Sequence, residues 1–185
     1  MKKMIITGIT LALIAAVAAT ALALINSVTA PKIAEYEAQV VINTLTEVAS
    51  GYEIKDKIEV SDDISVKAYY PIHKEEVLEG YILSLVGNGY GGTFSLMASY
   101  LLDGSVIDAR MLNNSETPGL GKKAEKAEYM DKFKETGSKD TPVPTKKGQL
   151  EADEADSIGG STITFSAVGK TIETGSVYVA QKGGK

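Results

Sequence analysis

Residues 4–25 form a run of twenty-two positions without a charged side chain, drawn mainly from Ala, Leu, Ile and Thr. As a helix such a run is about 33 Å long, enough to cross a hydrocarbon core of roughly 30 Å. Lys2 and Lys3 precede it, so the positive-inside rule keeps the amino terminus in the cytoplasm and puts everything after Ala30 outside the inner membrane. A cleaved leader is the competing reading. Val28-Thr29-Ala30 has the small-x-small form of a cleavage site, but Pro31 follows and obstructs cutting there. Ala21-Leu22-Ala23 has the same form, inside the apolar run. The chain is therefore read as a cytoplasmic start and retained single-pass anchor over residues 1–30, an amphipathic stem over 31–52 and an extracytoplasmic domain over 53–185.

Charge and composition narrow the chemistry of that domain. With Lys2 and Lys3 set aside, seventeen basic residues face twenty-four acidic ones. An acidic excess argues against nucleic acid as a partner and against electrostatic docking on anionic lipid. Cysteine is absent, which removes disulfides, thiolate catalysis, thiolate-held iron–sulfur clusters and covalent haem. His73 is the only histidine, which removes a His-rich metal site. The run Glu151, Asp153, Glu154, Asp156 lacks the spacing of a cation loop and reads as a solvated acidic edge.

Periodicity predicts an α+β fold, an antiparallel sheet flanked by helices and preceded by one N-terminal transmembrane helix. Ile33, Tyr36, Val40, Val41, Leu45 and Val48 recur near helical spacing over 32–50, with Gly51 as the stop. Residues 53–60, 64–70 and 79–86 read as strands. Gly87-Asn88-Gly89-Tyr90-Gly91-Gly92 matches G-x-G-x-x-G literally. A strand-like run follows it rather than a helix, so it reads as a turn between strands and not as a dinucleotide loop. Asp103-Gly104 marks a second hairpin. Residues 122–133 are expected as a short helix, 136–147 as a loop, 149–158 as extended and 165–180 as a helix that Gly175 and Ser176 interrupt.

Residues 156–168 carry the densest chemistry: Asp156, then Gly159 and Gly160, then the hydroxyls of Ser161, Thr162 and Thr164 at the mouth of a helical run. Small residues let an outside group approach the backbone, and a helix start presents N–H groups suited to a phosphate. The plain alternative is a polar turn with an N-cap.

Two separated segments, Glu116-Thr117-Pro118-Gly119-Leu120-Gly121 and Asp156-x-x-Gly159-Gly160-Ser161-Thr162, together resemble the membrane-anchored FMN-binding domain family. That family includes the RnfG component of the Rnf ferredoxin–NAD electron-transport complex and the corresponding flavin-bearing component of the sodium-pumping NADH–quinone oxidoreductase. The compact length and short stem are more similar to the Rnf protein. The resemblance extends to the single span, the Tyr90-Gly91-Gly92 turn and the order of elements. It implies FMN attached covalently by a phosphoester to Thr162, beside Gly160 and Ser161, installed by an extracytoplasmic flavin transferase that uses FAD and a divalent metal. Gly159 stands where the family usually has Ser or Thr, and Ser161 stands where it has Ala, so Ser161 and Thr164 remain rival acceptors. Asp156, the acidic start of the motif, is implied in transferase recognition.

In the first motif, Asn114-Ser115 replaces the basic or histidine residue that often precedes Glu116. There the resemblance implies flavin contacts from Thr117, Gly119, Leu120 and Gly121. Glycines let backbone N–H groups reach the ring carbonyls, and Leu120 offers an apolar face. The function implied is an electron relay within a membrane-bound, ion-translocating complex, not an independent enzyme, with other membrane subunits as partners. A covalent tether suits a compartment with no FMN pool. The rival class is a pilin-like or other membrane-tethered binding protein without cofactor; the apolar run lacks the glutamate near its start that pilin-like chains carry.

Overall fold

The computed structural model describes residues 1–183, in two compact units, Met1–Val41 and the part that begins at Ile42. Helix α1, Lys2–Val48, makes up nearly all of the first unit and opens the second. In the first unit it is long and apolar enough to cross a membrane. Its hydroxyls turn back on their own helix: Thr7 donates to Lys3 O (3.0 Å), Thr10 to Ile6 O (2.9 Å) and Thr20 to Ala16 O (2.8 Å). Each polar atom is thereby satisfied without a neighbouring helix. Pro31 lies inside α1, where its ring removes one N–H from the ladder.

Most of the segment expected as a stem lies within α1, which ends at Val48. In the second unit Leu45 is half-buried and Thr44, Val48 and Ala49 are buried.

In the second unit all strand pairs are antiparallel, in the order β1-β3-β4-β5-β6, with β2 also on β3. The strands are β1 Glu53–Ile54, β2 Ile58–Glu59, β3 Val66–Lys74, β4 Val77–Asn88, β5 Thr93–Leu101 and β6 Val106–Asn113. Register places Leu83 opposite Ala98, Leu85 opposite Leu96 and Tyr81 opposite Tyr100, so these side chains share one face. That face carries α4, Thr162–Gly183, whose Phe165, Val168, Ile172 and Val179 complete the core. Each such buried side chain contributes roughly 1.5–3 kcal/mol. On the opposite face Ser99 pairs with Asp108. There Arg110 joins Glu47, in the last turn of α1, at 2.7 Å and also pairs with the buried carboxylate of Asp108. Arg110 is the only arginine in the chain.

Three local expectations need correction. Residues 149–158 are not extended: a 3-10 turn at Lys147–Gln149 leads into helix α3, Ala152–Ser157. Glu154 at its third position reaches back to the Glu151 N–H (3.4 Å), and acids in a first turn favour helix. The helix expected at 122–133 is broken into a 3-10 turn, Gly121–Glu125, a short α2, Ala127–Met130, and a second 3-10 turn, Asp131–Phe133. Lys126, extended at φ −84°, ψ 139°, makes the break. Helix α4 runs through Gly175 and Ser176 without interruption.

Gly175 is there for packing. A Cβ at this position would meet Tyr100 Oη at 2.3 Å and Leu85 Cδ1 at 2.9 Å. Tyr100 is fully buried and donates to Ile172 O at 3.0 Å; burial pushes its phenol well above the ordinary value. Overpacking costs about 1–3 kcal/mol, more than the gain of about 1 kcal/mol that alanine brings to a helix. Gly175→Ala is therefore expected to lower the urea unfolding midpoint of the full chain in detergent. An unchanged or raised midpoint would mean that α4 moves off Tyr100 without cost.

Candidate functional site

The carboxyl end of β4, the amino end of β5 and the carboxyl end of β6 meet at one edge of the sheet because the three strands are antiparallel neighbours. The hairpin turn 89–92 and the loop 114–121 leave from that edge, and the amino terminus of α4 reaches it through Thr164.

The approach to α4 is a tight turn. Ser161 N donates to Ile158 O at 2.9 Å, and Gly160 takes φ +80°, which only glycine adopts without strain. Ser161 then caps the helix, its backbone carbonyl accepting from Phe165 N at 2.8 Å. The next three N–H groups, of Thr162, Ile163 and Thr164, lie in the first turn, where no intrahelical acceptor exists.

The three hydroxyls of this segment have different environments. Ser161 is buried; its Oγ donates to Ile158 O at 2.8 Å and lies 3.5 Å from Tyr129 Oη. Burial pushes the Tyr129 phenol up to about 12, and the Glu116 charge adds to the rise against the lowering contact with Ser161. Thr164 is buried and donates to Glu116 Oε2 at 2.9 Å. Thr162, the first residue of α4, is exposed.

Glu116 joins three segments far apart in sequence. One carboxylate oxygen accepts from Gly91 N at 3.1 Å, the other from Thr164 Oγ1, and the Glu116 N–H donates to Asn114 Oδ1 at 3.0 Å. The packing around it is close enough to require glycine. A Cβ on Gly89 would lie 2.0 Å from Glu116 Oε1, and one on Gly121 would lie 2.3 Å from Glu116 Oε2.

Residues 117–120 close a turn in which Leu120 N donates to Thr117 O at 3.2 Å, with Pro118 second and Gly119 third at φ +77°. This is the Pro-Gly arrangement of a type II turn. It leaves Leu120 partly exposed, over Gly160: a Cβ on Gly160 would meet Leu120 Cδ2 at 2.7 Å. Lys123 Nζ, from the following 3-10 turn, donates to Gly159 O at 2.9 Å and ties the two turns together.

Between them opens a cleft of about 380 Å³, lined by Glu116, Thr117, Leu120 and Gly121 on one side and Gly160, Ser161, Thr162, Ile163 and Thr164 on the other, with Tyr90 from the hairpin turn. The flavin-contact residues expected from the two motifs all line it except Gly119, which serves the turn. Asp156 is exposed on α3, 3.9 Å from Lys147 Nζ, and does not line the cleft. Two lining residues were missed as site residues, Tyr90 and Ile163. Tyr90 was legible only as part of a glycine turn, and Ile163 only as an apolar position in a helix.

Residues 89–175 match the family described as FMN-binding domain, and residues 1–48 match the RnfG N-terminal region. Among similar proteins is the G subunit of the Na(+)-translocating ferredoxin:NAD(+) oxidoreductase complex of Acetobacterium woodii, 33% identical over 87% of this chain and 84% of that one. The G subunit of the proton-translocating ferredoxin:NAD(+) oxidoreductase complex of Clostridium ljungdahlii is 27% identical over 82% of this chain and 78% of the relative. The G subunit of the ion-translocating oxidoreductase complex of Methanosarcina acetivorans is 29% identical over 95% and 94%. With its N-terminal region and its FMN-binding region both matched, and a relative 33% identical over most of both chains, the chain belongs to the RnfG family of Rnf-type ion-translocating oxidoreductase complexes.

Proposed function

We propose that this chain is the FMN-bearing electron-transfer subunit of an Rnf-type ion-translocating ferredoxin:NAD oxidoreductase complex, and that its flavin is joined through the phosphate to Thr162 Oγ1. The observation that carries the attachment point is the contrast among the three hydroxyls. Ser161 and Thr164 are buried and committed to Ile158 O and Glu116, whereas Thr162 is exposed at the cleft and at the start of a 22-residue helix. A phosphoester on that residue gains from first-turn N–H groups and from the positive end of the helix dipole.

The residues present suit the group. Cofactor sites are mostly apolar clefts of about 300–1,000 Å³ with few polar anchors, and here Tyr90, Leu120 and Ile163 supply apolar surface beside Thr117 and Glu116. Bound FMN supplies a reversible electron carrier; the chain's own part is to tether it, exclude water from its ring and bias its potential. Attachment by a flavin transferase breaks the P–O–P bond of FAD, forms the Thr162 O–P bond and releases AMP with the hydroxyl proton.

The proposed topology puts Lys2 and Lys3 in the cytoplasm and the FMN-binding domain outside. The threonine hydroxyls of the span are bonded to its own backbone, so ion movement is assigned to the other membrane subunits.

Intact mass of the full chain co-expressed with an active flavin transferase tests the tether. Wild type is expected to gain one FMN less one water, Thr162→Ala to gain nothing, and Ser161→Ala to keep the gain. A gain that survives in Thr162→Ala would remove the proposed attachment point, and no gain in wild type would remove covalent flavin altogether. Thr164→Val deletes a hydrogen bond to a buried carboxylate, worth about 1.5–3 kcal/mol, so its unfolding midpoint in urea is expected to fall by a corresponding amount. A midpoint equal to wild type would show that Glu116 finds another donor. Because the chain has no cysteine, Lys139→Cys at an exposed loop position reports topology directly. A membrane-impermeant maleimide should label it in intact spheroplasts; labelling only after lysis would invert the orientation.

A further inference from the structure

Tyr90 is 73% exposed, yet its backbone is held on every side. Thr93 Oγ1 donates to Asn88 Oδ1 at 3.0 Å at the base of the hairpin, Gly89 N donates to Gly92 O at 2.8 Å across it, and Gly91 N donates to the Glu116 carboxylate at 3.1 Å. A Cβ on Gly91 would lie 2.3 Å from the backbone Ser115 O, and one on Gly89 would lie 2.0 Å from Glu116 Oε1 and displace that carboxylate. The turn is thus pressed onto the 115–116 backbone and presents one aromatic ring to the cleft. Leu120, 45% exposed, and Ile163, 61% exposed, come to the same cleft from two other segments. Ile163 directly follows the proposed attachment residue. Three large apolar side chains left open to water around one cleft are an unfavourable arrangement for a free domain, since an aromatic side chain has about 150–250 Å² to bury. The arrangement is stabilised once a flat apolar group covers them.

We infer that Tyr90 is a positioning residue whose ring stacks on the isoalloxazine of the flavin tethered at Thr162, with Leu120 and Ile163 as the aliphatic walls beside it. The inference rests on the flavin reading above. A phenol in van der Waals contact with a flavin quenches its fluorescence, by passing an electron to the excited ring and taking it back, whereas an aliphatic side chain does not. An aromatic pair favours the stacked arrangement by a factor of roughly 2 to 10.

The test uses the full chain in detergent, co-expressed with an active flavin transferase, with emission normalised to the flavin absorbance of each sample. Tyr90→Leu is expected to raise emission per bound flavin by about two- to tenfold and to shift the lifetime distribution from short to long components. Tyr90→Trp, which restores a stacking and quenching ring, is expected to stay as dark as wild type. A flavinylated Tyr90→Leu as dark as wild type overturns the stacking and leaves the parent reading intact. A bright Tyr90→Trp overturns it equally, because the ring would then not be what quenches. A wild-type chain with no flavin overturns the parent reading and the stacking together, and intact mass identifies that case.

Discussion

A single buried carboxylate holds the site together. Glu116 takes a hydrogen bond from the 89–92 turn on one oxygen and from Thr164 of α4 on the other, while its own N–H is bound by Asn114. An ionised carboxylate is an acceptor with two oxygens, so it bridges two donors approaching from different elements in a way that a neutral hydroxyl or amide does less well. Removing that charge from water is unfavourable unless it is hydrogen-bonded, and charge-assisted bonds are the stronger kind. The glycines at 89 and 121 follow from this bond set, because any Cβ there would displace the carboxylate.

The hydroxyl segment at the start of α4 shows how one motif divides its labour. Ser161 closes the turn and caps the helix, and Thr164 fastens the helix to Glu116, so both are part of the scaffold. Thr162 lies between them with its side chain open to the cleft. The division is a consequence of helical geometry: residues three apart share a face, so Ser161 and Thr164 both face inward while Thr162 and Ile163 between them face out. As a row of letters the three hydroxyls look equivalent; on the helix they are not.

The opposite face of the sheet, where Ile82, Met97 and Ser99 are buried, also carries a network of charges. Arg110 links Glu47 at the end of α1 to Asp108, and Lys134 shares that carboxylate and Asp131. Hydrogen bonding to Lys134 holds the Asp131 carboxyl below its ordinary value, although the pair is largely exposed and its contribution to stability is small. This network engages β6, while α4 packs on β4 and β5, and the ends of these three strands carry the site.

The sequence by itself determined the membrane-length apolar helix, the antiparallel α+β class, both hairpins around Gly87–Gly92 and Asp103-Gly104, and the two motifs that line one cleft. Each of these depends on local signals: uninterrupted hydropathy, period-two alternation, glycine turns and a helix start. The expectation that 149–158 is extended failed because the Glu151-x-x-Glu154 cap starts a helix there. The expected strands of the β3–β4 hairpin also stop short of the turn, because that two-residue turn is Glu75-Glu76, both at positive φ, with no glycine to mark it. Only the tertiary structure decided that Gly175 packs against Tyr100 instead of ending a helix, that Thr162 is the exposed hydroxyl, and that Tyr90 and Ile163 share its cleft. Those facts turn on which residues from distant segments meet, and the bonds that bring them together, above all those of Glu116, leave no periodic trace along the chain.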